Sequence, residues 1–377
     1  MPCLKTFVLA LLFGLPFPLF SQDSKPNIIL IVLDDLNDYT GFLGGHPQVH
    51  TPNMDLLAAE SIVFENAFCS TPICGPSRIS FLTGKDAFYT QVYNNAEVEP
   101  VFRDHFSDET GNGTVFTLPE YLKSNQYFTV SIDKVFHSGN SDFDSITPDA
   151  CEKEYSWNKL IKLSTSASVS DTFNDGFEPE GLQWGILPDS LERDLKDVKA
   201  IDSAINIIEQ YASGEMETCD KNLFLAVGIS KPHSPMIVPN SYFLPYYIDD
   251  FFADPYLIPY NHPADTFPFN GVVMPPQPDI MWGDYYALPD TGVAYNFTRK
   301  YYTEFLNFTD ELPFFPEIDT GLTDSTRAFI LQESKRANMV MAYLASISFA
   351  DFHIGRLLHA LKSDPELYHN TIIVIIG

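Results

Sequence analysis

Basic residues are scarce in this sequence. Lys and Arg together number 22 against 50 Asp and Glu, a formal net charge of −28. A protein that holds nucleic acid by neutralising phosphates needs the opposite balance, so that class of partner is excluded. The acidity is read first as a device for solubility. An anionic substrate would have to meet a local basic island on an acidic molecule. Long apolar runs are scarce as well: beyond the first twenty residues none has the length to span a bilayer. No internal repeat or low-complexity tract is visible. Cysteine is limited to five residues. Cys3 lies in the leader described next, which leaves Cys69, Cys74, Cys151 and Cys219, enough for two bridges at most. If Cys74 has another role, at most one pair forms; Cys151 with Cys219 is the expected pairing, with Cys69 unpaired.

What is present bounds the class. With 377 residues and 45% hydrophobic content, the chain can build the core of one large α/β domain or two ordinary ones. The first residues, "MPCLKTFVLALLFGLPFPLFSQDSKP", place Lys5 before an apolar run broken by Pro16 and Pro18. That is the build of a secretory signal peptide over residues 1–21, too short and proline-broken for a spanning helix. Sequons at Asn112, Asn296 and Asn307 fit a glycosylated chain that is secreted or delivered to a lysosome or periplasm.

Four short apolar runs are each followed by a telling segment. "NIILIVL" (27–33) precedes Asp34-Asp35, "YFTVSI" (127–132) precedes "DKVFH", "NLFLAVGI" (222–229) precedes "SKPH", and "TIIVII" (371–376) precedes Gly377. Runs of this kind read as buried parallel strands. Helical signals lie between them. Thr51 and Pro52 open "TPNMDLLAAESI", and Thr117 and Glu120 stand at capping-box spacing. Leu195, Val198, Ile201, Ile205 and Ile208 share one helical face that Gly214 ends. A second such face runs from Met339 to Leu361, before Asp364-Pro365. The expected architecture is a mostly parallel sheet covered on both faces, with its chemistry at the carboxyl ends of the strands. Residues from about 234 to 325, rich in Pro, aromatic and acidic residues, read as a loop-rich insertion over the site.

Candidate site residues follow from those strand ends. Two adjacent carboxylates, Asp34 and Asp35, repel unless a cation neutralises them, and all-oxygen ligation suits Ca²⁺ or Mg²⁺. Taken alone, such a pair is more often a solvated turn; directly after the apolar run 27–33 the two readings stand level. In "STPICGPSRISFLTG", Cys74 opens a helix-like run, where free N–H groups favour an anion. Arg78, one turn on, adds a fork of donors on the same side. Cys74 is thus a disulfide half with Cys69, a metal ligand, a nucleophile or a side chain remade after translation; spacing alone favours the disulfide. Lys134 and His137 in "DKVFHSG", and His233 in "KPHSP", offer cations and donors for substrate oxygens and a general acid for a leaving group. His46, His50, His353 and His359 carry only the reading of ordinary, hydrogen-bonded histidines.

With "CGPSR" preceded by "NIILIVLDD", the chain resembles the sulfatases, and most of all the iduronate-2-sulfatase branch. The C-x-P-S-R pattern from Cys74 to Arg78 is the signature. "DDLND", "HTPNMDLLA", "FENAF", "KVFHSG", "KPHSP", "GVAYN" and "FADFHIGRLLHAL" resemble that branch in the expected order, from residue 26 to 377. The resemblance implies an alkaline-phosphatase-like α/β/α sandwich. It implies that a formylglycine-generating enzyme oxidises Cys74 to formylglycine, whose hydrate attacks sulfur, forms a sulfate ester and then expels sulfate. It places Ca²⁺, ahead of Mg²⁺, on Asp34, Asp35 and residue 74. Arg78 then holds the attacking group, Lys134 and His137 contact the modified residue and sulfate, and His233 serves the leaving group or sulfate oxygens. The implied substrate is a sulfated sugar, with uronate-2-sulfate of a glycosaminoglycan or similar polysaccharide favoured.

One departure from the family pattern sets a further expectation. In sulfatases the strand matching "TIIVIIG" leads into an Asp-His or Asp-Asn pair on the metal and then a lysine on the sulfate, but this sequence stops at Gly377. The chain from residue 26 is therefore expected to be an incomplete N-terminal catalytic domain, without the smaller C-terminal subdomain, that binds metal poorly. Two competing readings stand beside the sulfatase one: a phosphonate or phosphodiester hydrolase of the same superfamily, and a non-catalytic fragment that binds anions.

Overall fold

The computed structural model describes residues 25–95, 117–137, 156–164, 183–218, 220–246, 272–273, 275 and 324–377, with side chains of the last segment from 339. The leader, the three sequons, Cys151, Cys219 and most of the 234–325 insertion lie outside the described residues.

Five parallel strands form the central sheet: β1 (Asn27–Asp34), β2 (Tyr127–Ile132), β3 (Lys159–Ile161), β5 (Asn222–Pro232) and β7 (Thr371–Ile376), in the order β3-β2-β5-β1-β7. The four apolar runs are thus strands. They are almost wholly apolar because both faces are covered, and the side-chain period of two divides each run between two layers. Ile29, Ile31 and Leu33 of β1 join Leu225, Val227 and Ile229 of β5 on one face. There they meet α1 (Pro52–Ala58), α5 (Lys196–Ala212) and α6 (Asp324–Lys362) through Leu57, Ile201, Ala204, Ile208, Ile354 and Leu357. Leu30, Val32, Phe224 and Ala226 face the other way. They pack on Leu82 of α2 (Cys74–Thr83), on Leu122 of α4 (Leu118–Ser124) and on Trp157, whose ring stacks on Phe224 at 5.9 Å. Between these two helices lies the single turn α3 (Ala87–Thr90). At the sheet edge, Ile372 and Val374 of β7 remain 49% and 37% exposed.

The helix boundaries follow local chemistry. Thr117 accepts from Glu120 N–H while the Glu120 carboxylate accepts from Thr117 N–H, the reciprocal pair its spacing predicts. Gly214, at φ +73, closes α5 in a conformation only glycine adopts without strain. Asp364 caps α7 (Pro365–His369) by accepting from Leu367 N–H. Two details differ from the sequence reading. Thr51 stands at the start of α1 but makes no cap; its hydroxyl donates to Asp55 and accepts from Gly41 N–H. On α5 Ile205 is only partly buried, although it packs against the same core cluster, and Ile207, which the pattern left out, is fully buried.

A second, two-stranded parallel sheet pairs β4 (Trp184–Leu187) with β6 (Met236–Pro239). The start of the expected insertion is therefore ordered strand. Phe243, Tyr246, Val238 and Leu187 bury it against Met341, Leu344, Ala345 and Phe349 of α6. This layer sits beside the strand ends and frames one side of the site.

Candidate active site

Because all five strands of the main sheet run parallel, their carboxyl ends share one edge, and the loops there bring distant residues together. β1 ends at Asp34, which is 2% exposed. Its Oδ1 accepts from Arg78 Nη2 at 3.0 Å, and its Oδ2 pairs with Lys134 Nζ. Arg78, one turn after Cys74 on α2, also donates through Nη1 to the carbonyls of Lys134 and, at 3.0 Å, Val135. Its buried Nε has no hydrogen-bond partner among the described residues. The backbone of Lys134 crosses β5 so closely at Gly228 that a Cβ there would lie 2.2 Å from the Lys134 carbonyl carbon. Only glycine permits that approach.

Two cationic side chains, Arg78 and Lys134, therefore converge on one buried carboxylate. Burial pushes the pKa of Asp34 up, but Arg78 and Lys134 outweigh it and hold the group below its ordinary 3.8. His137 moves the opposite way for a base. Burial, then the charges of Lys134 and Arg78, press its pKa below 6.5, with Asp34 pulling back. A neutral imidazole beside two fixed cations is the state this pocket favours.

His233 arrives from the end of β5. There the ladder slips: Leu33 opposes Ile229, but Asp34 opposes Pro232, so Ser230 and Lys231 bulge out. His233 N–H then donates to the Asp34 carbonyl at 3.0 Å, and its Nε2 lies 3.6 Å from the exposed Asp35 carboxylate. Asp35 has φ +61, a left-handed conformation. It is held by the Tyr343 hydroxyl of α6, which donates to the Asp35 carbonyl at 2.6 Å and accepts from Asn37 N–H at 3.0 Å.

Cys74 is the first residue of α2, as its motif suggests, and both Cys74 and Cys69 are free. The disulfide between them does not form. Gly75 N–H donates to Asn95 Oδ1 at 2.9 Å, which turns the Asn95 amide NH₂ toward Cys74 Sγ at 3.4 Å. Asn95 was not legible as a site residue. A polar side chain twenty-one positions downstream carries no local signal. Asp34, Arg78, Lys134, His233 and Asp35 thus gather in one chain of contacts. His137 lies near enough to feel the charges of Lys134, Arg78 and Asp34, and Cys74 enters through its helix.

Whether the residues suit a hard cation turns on their donors. Asp34 and Asp35 present carboxylate oxygens, the right kind for Ca²⁺. They are incomplete in number, for no group of three His, Cys, Asp or Glu able to hold a metal occurs among the described residues. The other histidines are ordinary. His46 bonds the Val273 carbonyl, and buried His353 pairs with Glu192 at 3.0 Å. No helix among the described residues is long and apolar enough to cross a membrane.

Comparison with known proteins agrees with the motifs. The family model that matches is Sulfatase, over residues 26–377. A mouse (Mus musculus) iduronate 2-sulfatase is 30% identical over 358 residues, which are 92% of this chain and 53% of the mouse protein. A sulfatase of Formosa agariphila is 28% identical over 360 residues, 93% of this chain and 58% of its own. The chain spans about half the length of the curated relatives it matches. Among solved structures, the phosphonate monoester hydrolase of Agrobacterium radiobacter superposes with a TM-score of 0.57 at 16% identity, covering 93% of this chain and 62% of that one. The enzyme of the same type from Silicibacter pomeroyi gives 0.51 at 19% identity, covering 93% and 62%. These likenesses show the fold, the alkaline-phosphatase-like sandwich of a mostly parallel sheet between helices.

Proposed function

The chain belongs to the sulfatase family, and from that premise we propose that its site hydrolyses sulfate esters of sugars. The favoured group is a uronate-2-sulfate of a glycosaminoglycan or similar polysaccharide. One observation carries the reading: Arg78 and Lys134 converge on Asp34 at the strand edge, and the helix that delivers Arg78 begins with Cys74. In an acidic protein this is the basic island a sulfate ester requires.

Under this proposal Cys74 is converted to formylglycine by a formylglycine-generating enzyme, in a chain routed to a secreted, lysosomal or periplasmic compartment. The aldehyde hydrate would supply two hydroxyls at position 74, one to take the sulfuryl group and one to release it. Asp34 and Asp35 would hold Ca²⁺, which would supply a fixed positive charge beside residue 74.

The chain's own residues have separable parts. Arg78 is already oriented by the Lys134 and Val135 carbonyls, and its unpartnered Nε is a donor for an anionic oxygen. Lys134 can exchange Asp34 for a sulfate oxygen without leaving the pocket. Its charge is then compensated by the substrate rather than by the carboxylate. His137, held neutral, can donate one N–H to a sulfate oxygen without adding a further charge. His233 stands at the open side of the pocket, 3.6 Å from Asp35, where a leaving alkoxide can take a proton.

Paired assays on an aryl sulfate, a uronate-2-sulfate disaccharide and a phosphate diester test this reading. Turnover of both sulfates over the diester is expected. Preference for the diester would instead identify a phosphohydrolase on the same fold.

A further inference from the structure

The bulge that carries His233 raises a question of hydrogen-bond accounting. Ser230 and Lys231 leave the β1 ladder, so their N–H groups, half-buried at Ser230 and buried at Lys231, need other acceptors or cost stability. Both go to one side chain. Asp197 Oδ1 accepts from Ser230 N–H at 2.8 Å, and Oδ2 accepts from Lys231 N–H at 2.9 Å. Asp197 is 4% exposed and lies in the first turn of α5. Its neighbour Lys196, the first residue of that helix, reaches the other site loop. Lys196 Nζ lies 2.8 Å from Asp133 Oδ2, and Asp133 is the left-handed residue, φ +56, that turns β2 into Lys134. One helix end thus grips two of the loops that carry site residues, those after β2 and β5. Among the described residues, the hydrogen bonds and ion pairs of these two side chains go to Ser230, Lys231 and Asp133, not to Asp34, Arg78, His137 or His233.

We propose that Asp197 is a positioning residue whose carboxylate fixes the β5 bulge and so sets where His233 stands, with Lys196 doing the same for Lys134 through Asp133. The proposal rests on the sulfate-ester reading for its kinetic consequences, and on geometry alone for its structural ones. A bulge deprived of its acceptor relaxes toward the regular ladder, which rotates His233 away from Asp35. A displacement of about 1 Å at a reacting group costs on the order of a hundredfold in rate.

The test uses Asp197→Asn, Asp197→Ala and Lys196→Met in the whole protein, with Lys199→Ala, one turn along the exposed side of α5, as control. Two readouts are taken: kcat and KM on an aryl sulfate, and the imidazole resonances in protein carrying isotope-labelled histidine. Expected is a fall in kcat of roughly tenfold to a hundredfold for Asp197→Ala with KM within about threefold. Asp197→Asn, which keeps one acceptor, should fall between it and the parent. The His233 resonance should move in both, while those of His46 and His359 hold still. Lys196→Met should move His137 and spare His233. If Asp197→Ala does not fold, Asp197→Asn decides alone. Unchanged kcat with an unmoved His233 resonance would overturn the proposal, as would an equal displacement of every histidine. If the parent hydrolyses no sulfate, the functional reading fails, and the selective movement of His233 still decides the positioning role.

Discussion

Asp34 and Arg78 lie forty-four positions apart and meet at 3.0 Å with both side chains nearly sealed from water, at 3% and 4% exposure. A buried ion pair of this kind is seldom a net source of stability, because desolving two charges offsets their attraction. Here it is the means by which a strand end and a helix start are held in register. Lys134 completes it, and removal of any member leaves a buried charge or donor unpaired.

Arg78→Met should therefore cost about 3 kcal/mol of stability, the low end for breaking a buried pair, since Lys134 still faces Asp34. It also strands two backbone carbonyls. Urea unfolding of the variant against the parent measures it. Arg78→Lys should recover part of the stability but little activity, because an ammonium cannot reproduce the forked contacts.

Acid should act through Asp34. Its folded pKa is held below 3.8, so the unfolded chain takes up the proton first as pH falls. The stability it contributes is fully present above about pH 3.8 and is lost below it, as pH passes through the lowered folded value. Asp133 and Asp351 are shifted up by burial and slope the other way, so the difference between Asp34→Asn and the parent is the informative quantity. The gap between the urea midpoints of the two proteins should be smaller at about pH 3 than at about pH 5. A constant gap would contradict the expectation.

Gly228→Ala should be poorly tolerated although it adds one methyl. The new Cβ meets the Lys134 backbone, which cannot swing aside as a long side chain would. Overpacking of this sort costs about 1–3 kcal/mol, and it displaces Lys134 directly. Thermal unfolding and aryl-sulfate turnover should both fall. A variant that loses neither would mean that the loop yields freely.

Tyr343→Phe isolates the hold on Asp35. The hydroxyl ties two backbone groups of the loop after β1, so its loss should cost about 1 kcal/mol. If Asp35 binds calcium, the affinity should fall roughly tenfold, as when a ligand loses the group that orients it. Calorimetric titration with calcium chloride reads this. An unchanged affinity would place Asp35 outside the metal shell.

The sequence revealed some parts of this site and concealed others for physical reasons. β1, β2, β5 and β7 were legible because strands buried on both faces are continuous apolar runs, and the residues just beyond them, Asp34, Lys134 and His233, inherit their positions from the sheet. The Thr117–Glu120 pair was legible because both partners lie within one turn. β3, β4 and β6, of three or four residues each, are too short to show a period. Asn95, Gly228 and Tyr343 act on residues far away in the chain, so nothing local marks them. Asp197 did leave a trace: it falls on the same helical stripe as Ile201, Ala204 and Ile208, a carboxylate on an apolar face. Such a residue must find buried donors, and the bulge supplies them.

The most direct test of the proposed chemistry is mass spectrometry of the proteolytic peptide that contains residue 74, from protein made together with a formylglycine-generating enzyme. The predicted peptide has lost sulfur and two hydrogens and gained one oxygen, and the modified fraction rises in step with sulfate-ester turnover. An intact thiol at Cys74 in protein that still hydrolyses the ester would contradict it.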